Sequence, residues 1–383
     1  MKKKICLVCS VQFTYEKFIK DIIKDLSNND YEISCVFNWD NPKIKPIQEG
    51  VIFKNMALKR SSSLLNIIGS ILKLFVYFRT NNFDLIQDHT PIASLSARIA
   101  AKFAGCRCIV YKIHGFYFHE NMPILQRYIH IVIEILLAKI TSKFYLVSKE
   151  DTLFAKMIGM KNKEDIFFIG NGINSELFKP INFEEKCKAK EDLGLNKENI
   201  IIGFVARLVE EKGLLELIDA FRYLINDSKN IQLLICGSKL KSDYGSSVYT
   251  QLSLLKEEYP DKIIITGYLE NTILAYNSMD IYCLPSWREG MPYTVLEAMM
   301  CGLPVITSDI RGCREAVIHN ETGLICKPKD KLSLYKSLKY LVDNPNERIN
   351  FGKGGYLRAK NNFDSNLIKK KEIDLLKKHI NLI

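Results

Sequence analysis

The chain has 383 residues, 47% of them hydrophobic and 25% charged, a balance that excludes disordered and collagen-like classes. That length exceeds a single hydrophobic core and implies two domains. The formal charge of +11 is uneven: residues 1–180 carry 25 Lys and Arg against 16 Asp and Glu, whereas residues 181–360 carry 24 of each.

A basic first half selects anionic partners such as phospholipid headgroups, nucleic acid or phosphorylated substrates, unless it is simply a solvated face. The opening MKKKICLVCSVQFTYEKF has the lysines of a signal peptide, but its apolar run is short and no cleavage site follows. It reads as a first buried strand over 4–9. Cys6 and Cys9 lie on opposite faces of such a strand and cannot share a metal. Strands over 32–37, 84–87, 108–113, 144–147 and 166–169 follow, with helical patterns at 15–27, 63–79, 92–104, 122–140 and 149–158. The run SSSLLNIIGSILKLFVYFR (61–79) is the strongest membrane candidate, yet Lys73 interrupts it and it falls short of the roughly 20 apolar residues of a spanning helix. It reads as a buried helix, with a membrane-surface helix as the alternative.

The segment GNGINSELFKPINFEEK breaks the rhythm as a linker does. A second series then begins with the strand in NIIIGFVARL (199–208). Helices near 212–226, 246–258, 271–278 and 292–301 alternate with strands at 231–236, 262–266, 280–284 and 304–307, and further helices lie beyond 330. This order predicts an α/β protein of two doubly wound parallel-sheet domains, 1–180 and 181–361, facing a central cleft, with a last helix, 362–383, returning to the first domain. Eleven cysteines without secreted spacing argue for reduced thiols in the cytoplasm. Cys106 and Cys108, two apart, are expected on one face as core.

In GFVARLVEEKG, Arg207 ends a strand and Lys212 starts the next helix, so the two cations can converge on one anion such as a diphosphate. Isolated, an Arg and a Lys at this spacing are ordinary surface cations. In SWREGMPYTVLEAMM, Gly290 permits a turn and Pro292 suits the first turn of a helix. The N–H groups of Met291, Tyr293 and Thr294 then form a helix-end anion site. Glu289, just ahead of it, suits neutral hydroxyls beside a phosphate. Glu297, about two turns along among apolar residues, needs a partner, for which a sugar diol or a structural Arg would serve. His114, in HGFYFH after the 108–113 strand, is expected to look into the cleft, a structural histidine being the alternative, while His89 and His119 read as local hydrogen-bonding residues.

These motifs, with GYLENTILAYNSMDIYCLPSWREGMPYTVLEAMMCGLPVITSDIRGCREAVIHNETGLI, resemble the donor half of glycosyltransferase family 4, densely over 199–326 and more loosely before it. The resemblance implies a GT-B fold and retaining transfer from a nucleotide-activated sugar. It further implies that Glu289 contacts the donor sugar, Glu297 the ribose, Arg207 and Lys212 the diphosphate, and that His114 faces substrate. One departure is that CSVQFTYEKF lacks the glycines many relatives carry after the first strand. The expectation is metal-independent transfer of a hexose or hexosamine from a UDP-sugar to a lipid-linked saccharide in bacterial surface-polysaccharide synthesis. The enzyme would be cytoplasmic and peripheral on an anionic membrane surface, with no further cofactor and no nucleic-acid partner. A nucleotide-sugar epimerase of the same architecture and a non-catalytic partner of a transferase are the alternatives.

Overall fold

A computed structural model describes residues 2–27, 31–41, 45–58, 63–120, 122–239 and 247–382. The chain divides into two compact units, Met1–Gly170 with Ile368–Ile383, and Asn171–Leu367. The sequence reading puts the division after residue 180.

The first unit contains β1 (Lys3–Val11), α1 (Gln12–Phe18), α2 (Lys20–Ser27), β2 (Tyr31–Asn38), β3 (Val51–Asn55), α3 (Leu64–Asn81), β4 (Leu85–His89), α4 (Pro91–Ala104), β5 (Cys108–Ile113), α5 (Ile124–Ala138), β6 (Lys143–Leu146), α6 (Lys149–Met157) and β7 (Ile166–Phe168). Its strands form one parallel sheet in the order β3-β2-β1-β4-β5-β6-β7. Alternation along β1 sends Ile5, Leu7 and Cys9 to one core and Cys6 and Val8 to the other. Cys6 and Cys9 are thus separated by the sheet. So are Cys106 and Cys108, contrary to expectation, because Cys106 precedes β5 and the strand alternation does not reach it. The helical pattern expected over 15–27 is two helices meeting at Ile19. The expected 63–79 helix runs over Leu64–Asn81 and buries Leu74 and Phe78; residues 61 and 62 lie outside the described ones.

The second unit contains α7 (Phe183–Asp192), β8 (Ile200–Val205), α8 (Leu214–Asp227), β9 (Ile231–Cys236), α9 (Ser247–Glu258), β10 (Ile263–Gly267), α10 (Ile273–Ser278), β11 (Ile281–Leu284), α11 (Tyr293–Met300), β12 (Val305–Ser308), α12 (Cys313–Ala316), β13 (Gly323–Cys326), α13 (Lys331–Asp343) and α14 (Pro345–Phe363), followed by α15 (Ser365–Asn381). The sheet is parallel, in the order β10-β9-β8-β11-β12-β13. The strands that sequence reading misses, β3 and β13, are both sheet edges. β3 (VIFKN) alternates too little apolar character to stand out. The segment read as linker, 170–186, runs into the first turn of α7, which is opened by a capping box of Asn182 and Glu185.

From Ile368 onward, α15 belongs to the first unit. Ile373, Leu376 and Ile380 enter its core. Glu372, buried, takes a hydrogen bond from Gln87 Nε2 at 2.8 Å and pairs with Lys112 Nζ at 2.6 Å. Tyr145 Oη and His379 Nδ1 share a third buried hydrogen bond at 2.8 Å. A buried ion pair contributes little net stability, but breaking it by removing one partner is costly. The contacts therefore fix where the tail docks.

Candidate functional site

In the second sheet the strand order reverses between β8 and β11, and ligands of such folds bind outside the carboxyl ends of the strands at that point. Two segments leave the sheet there, 206–213 after β8 and 285–292 after β11. They are pinned together: the Trp287 N–H donates to the Glu211 carbonyl at 2.8 Å. Gly213, left-handed at φ 72°, passes so close that a Cβ would stand 2.0 Å from the Pro285 carbonyl oxygen. No other residue satisfies both constraints.

This crossing sets Lys212 against Glu289, with Nζ 2.7 Å from Oε1 and the side chains 16% and 11% exposed. Ser286 Oγ donates to the same carboxylate oxygen at 2.8 Å. On the same segment Arg207 Nη2 donates to Glu211 Oε1 at 2.8 Å, while Arg288 approaches Glu211 Oε2 at 3.5 Å. Sequence reading places Lys212 at the start of a helix. In the structure it ends a 3-10 turn, Glu210–Lys212, and Gly213 separates it from α8.

The turn 290–292 is braced from two directions. Gly312, at φ 80°, comes so near that a Cβ would fall 1.6 Å from the Gly290 carbonyl oxygen. Asn171 Nδ2 donates to the Met291 carbonyl at 2.9 Å. Pro292 is extended (φ −73°, ψ 111°) and caps α11 rather than lying in its first turn, so Tyr293 and Thr294 are the first helical residues. Glu297 is buried at 2% exposure and accepts from Tyr276 Oη at 2.9 Å. Burial, and then the Glu297 charge, push the Tyr276 phenol well above its usual range.

In the first unit, His114 lies just past β5 and meets His89 at the end of β4, with His89 Nδ1 3.1 Å from His114 Nε2. Burial, with Lys112 adding to it, pulls the His114 imidazole down to about 3. His89 lies well below its ordinary range for the same reasons, with His114 a further contributor. After the first strand, where the sequence has no glycine, β1 runs directly into α1 through an extended Val11.

The structure thus brings Arg207, Lys212, Glu289 and the 290–294 turn to one end of the second sheet. Glu297 lies farther along α11, and His114 belongs to the other unit. Sequence reading did not find Ser286, Glu211, Arg288, Tyr276, Asn171 or Gly312. Ser286 stood within the quoted motif, whereas Asn171 stands 120 positions from its partner and carries no local signal. Among the described residues, no group of three or more His, Cys, Asp or Glu side chains is placed to hold a metal ion.

Two doubly wound sheets in one chain, the second opening on cations and a carboxylate at its switch point, define a GT-B architecture. Solved structures share it across the whole chain: sucrose-phosphate synthase from Thermosynechococcus elongatus (17% identity, TM-score 0.83, all of both chains covered) and Anabaena HepE in complex with UDP (20%, 0.79, 98% of this chain and 100% of that one). The family model "Glycosyl transferase 4-like" matches residues 4–147, and "Glycosyl transferases group 1" matches 185–358. Similar proteins include an Escherichia coli UDP-Gal:alpha-D-GlcNAc-diphosphoundecaprenol alpha-1,3-galactosyltransferase (26% identity; 83% of this chain, 82% of the relative). They also include the Staphylococcus aureus capsular polysaccharide biosynthesis glycosyltransferase CapM (27%; 81% of each). A third is the Campylobacter jejuni N,N'-diacetylbacillosaminyl-diphospho-undecaprenol alpha-1,3-N-acetylgalactosaminyltransferase (26%; 80% and 81%). The chain belongs to the family 4-type glycosyltransferases and is a glycosyltransferase.

Proposed function

We propose that this enzyme moves a hexose or N-acetylhexosamine from a UDP-sugar to a diphosphate-linked lipid saccharide, with retention at the anomeric carbon and without a metal. The observation that carries the reading is the Lys212–Glu289 contact of 2.7 Å at the switch point of the second sheet. A cation and an acceptor of hydroxyl hydrogen bonds stand side by side there, an arrangement that would suit the junction of a sugar and a diphosphate. Relatives matching over four-fifths of the chain carry names specifying UDP-Gal or diphospho-undecaprenol substrates, which supports the choice of donor and acceptor class.

As the bond from sugar to phosphate breaks, negative charge grows on the UDP leaving group. Preorganised charge is the largest catalytic term available for that. Lys212, Arg207 and the N–H groups at the start of α11 supply it in this reading, which is why no metal is required of the site. Glu289 Oε1 is occupied by Lys212 and Ser286, leaving Oε2 for a sugar hydroxyl. Glu297, oriented by Tyr276, accepts from the ribose. In the same reading His114 is the substrate-facing residue of the first unit, and the acceptor hydroxyl attacks from the face that the leaving group departs.

The first unit would rest on the anionic inner leaflet. No described helix is long and apolar enough to cross a membrane. Instead Leu65, Leu72 and Val76 on α3, and Ile124, Leu125, Tyr128 and Val132 on α5, form exposed apolar stripes. Such stripes on a basic domain suit an interfacial surface, where each Lys or Arg near anionic headgroups is worth about 1 kcal/mol.

The test is a screen of UDP-Gal, UDP-GalNAc, UDP-Glc and UDP-GlcNAc, with and without an undecaprenyl-diphosphate-linked sugar, in EDTA. UDP release that depends on acceptor and yields an α-linked product supports the reading. Turnover of the nucleotide sugar without acceptor would instead make the enzyme an epimerase or hydrolase.

A further inference from the structure

We propose that His89 is a positioning residue for His114, fixing the tautomer and orientation of that imidazole so that its Nδ1 is the atom presented to substrate. The proposal rests on the reading of His114 as the substrate-facing residue of a transferase.

Neighbouring strands bring the two rings together. β4 and β5 pair in parallel with His89 opposite Lys112, so His114 emerges two residues beyond that partner. His89 is fully buried, and its Nδ1 lies 3.1 Å from His114 Nε2. The rings stack with centroids 5.4 Å apart and planes 27° from parallel. Phe18, from α1, also contacts the His114 ring at 4.7 Å. Two enclosed nitrogens have no hydrogen-bond partner, His89 Nε2 and His114 Nδ1. A buried polar atom left unpaired is costly, so each of these two nitrogens calls for a partner, which a substrate hydroxyl can supply.

The backbone supports the same conclusion. Thr90, directly after His89, has φ 70° and ψ 130°, a conformation that a β-branched residue rarely adopts. It is held there by a 2.6 Å hydrogen bond between its hydroxyl and that of Ser10 on β1. Strain of this kind persists only where surrounding contacts over-determine it, and it concentrates at functional sites.

Two neutral imidazoles joined by one hydrogen bond must hold complementary tautomers, one nitrogen donating and the other accepting. Both rings are kept neutral by burial and by the Lys112 ammonium. That ammonium is itself paired with Glu372 of α15, beside Gln87. Whichever ring donates, Nε2 of His114 is committed to His89, and the tautomer at His89 dictates whether Nδ1 of His114 carries a proton. His114 then meets a substrate hydroxyl through Nδ1 alone.

Three substitutions separate positioning from mere packing. Asn at 89 can place an amide where Nδ1 stood, Gln places it at the Nε2 edge, and Leu fills space without hydrogen bonding. Histidine-labelled protein gives the His114 ring-nitrogen shifts by long-range ¹H–¹⁵N spectra, and kcat and KM come from the donor–acceptor pair that the screen identifies. His89→Leu and His89→Gln should move the His114 nitrogens toward the averaged tautomer and lower kcat roughly tenfold to a hundredfold, with donor KM little changed. His89→Asn should restore the shifts and recover most of the lost kcat. Unaltered His114 shifts in both His89→Leu and His89→Gln would overturn the proposal, as would equal losses of kcat in all three variants. If the unmodified enzyme transfers no sugar under any condition, the transferase reading fails, while the spectra still decide the pair.

Discussion

Lys212 and Glu289, 77 positions apart in sequence, meet at 2.7 Å through the crossing of the segments after β8 and β11. Because each is the other's charge partner, their effects on activity are coupled. Lys212→Ala and Glu289→Ala should each lower kcat by about a hundredfold or more, the scale of losing one preorganised charge contact. The double variant should lose much less than the product of the two. Steady-state kinetics on the four proteins gives the coupling, and independent losses would dissociate the pair functionally.

Tyr276 and Glu297 give a milder prediction. Tyr276→Phe removes a 2.9 Å hydrogen bond to a buried carboxylate without removing bulk. UDP affinity, read by calorimetry, should weaken roughly tenfold, in line with a hydrogen bond to a charged group. Unchanged affinity would detach Glu297 from the nucleotide.

Gly312→Ala tests the bracing of the 290–292 turn. The added methyl would land 1.6 Å from the Gly290 carbonyl oxygen, at a backbone φ of 80°. The turn must move, so donor binding should fall further than the melting temperature alone accounts for. An alanine variant with normal donor KM would show that the turn does not contact the donor.

Acid and base behaviour of the first unit is governed by buried groups of opposite sign. Burial raises Asp88 to about 7, with Arg98 opposing the shift. Between its unfolded value of 3.8 and about 7 the folded state holds the extra proton, so Asp88 lowers stability as pH rises through that range. His114 acts oppositely. At about 3 folded against 6.5 unfolded, it costs stability as pH falls below 6.5. Asp88→Asn should therefore raise the melting temperature relative to the unmodified protein by several degrees at pH 8, with the gain shrinking toward pH 5. A gain independent of pH would mean that Asp88 titrates normally.

Leu125→Glu and Val132→Glu change residues on α5 that are 73% and 52% exposed. Sedimentation with vesicles containing anionic lipid should show weaker binding, while melting temperature and UDP affinity stay as before. Vesicle binding equal to that of the unmodified protein would remove α5 from the membrane surface.

The two sheets and the donor-side motif were legible in the sequence because parallel strands buried on both faces read as continuous apolar runs. Lys212, Glu289 and Glu297 announced themselves by spacing within short segments. Several other features have no local signature. β3 and β13 are edges, too short and too mixed to separate from loops. The bonds from Asn171 to Met291 and from Tyr276 to Glu297 join distant segments, and no pattern in either segment names the other. The apolar stripe of α5 has the same period as a buried helix face, so only the folded chain reveals that it faces outward. His89 looked like a local hydrogen-bonding residue, and its partner is another histidine 25 positions away.

The return of α15 sets an order on how the protein can be made. Lys112 leaves the ribosome 260 residues before Glu372, the carboxylate that neutralises it. Until then α1 and α2 cover only part of that face of the first sheet, and Gln87, Lys112 and Tyr145 lack their α15 partners. The intervening unit, Asn171–Leu367, emerges complete before that face can close. The usual rule, that domains fold from the N-terminus as they emerge, is reversed for the last step. The first unit finishes last, once the helix that completes its core has emerged.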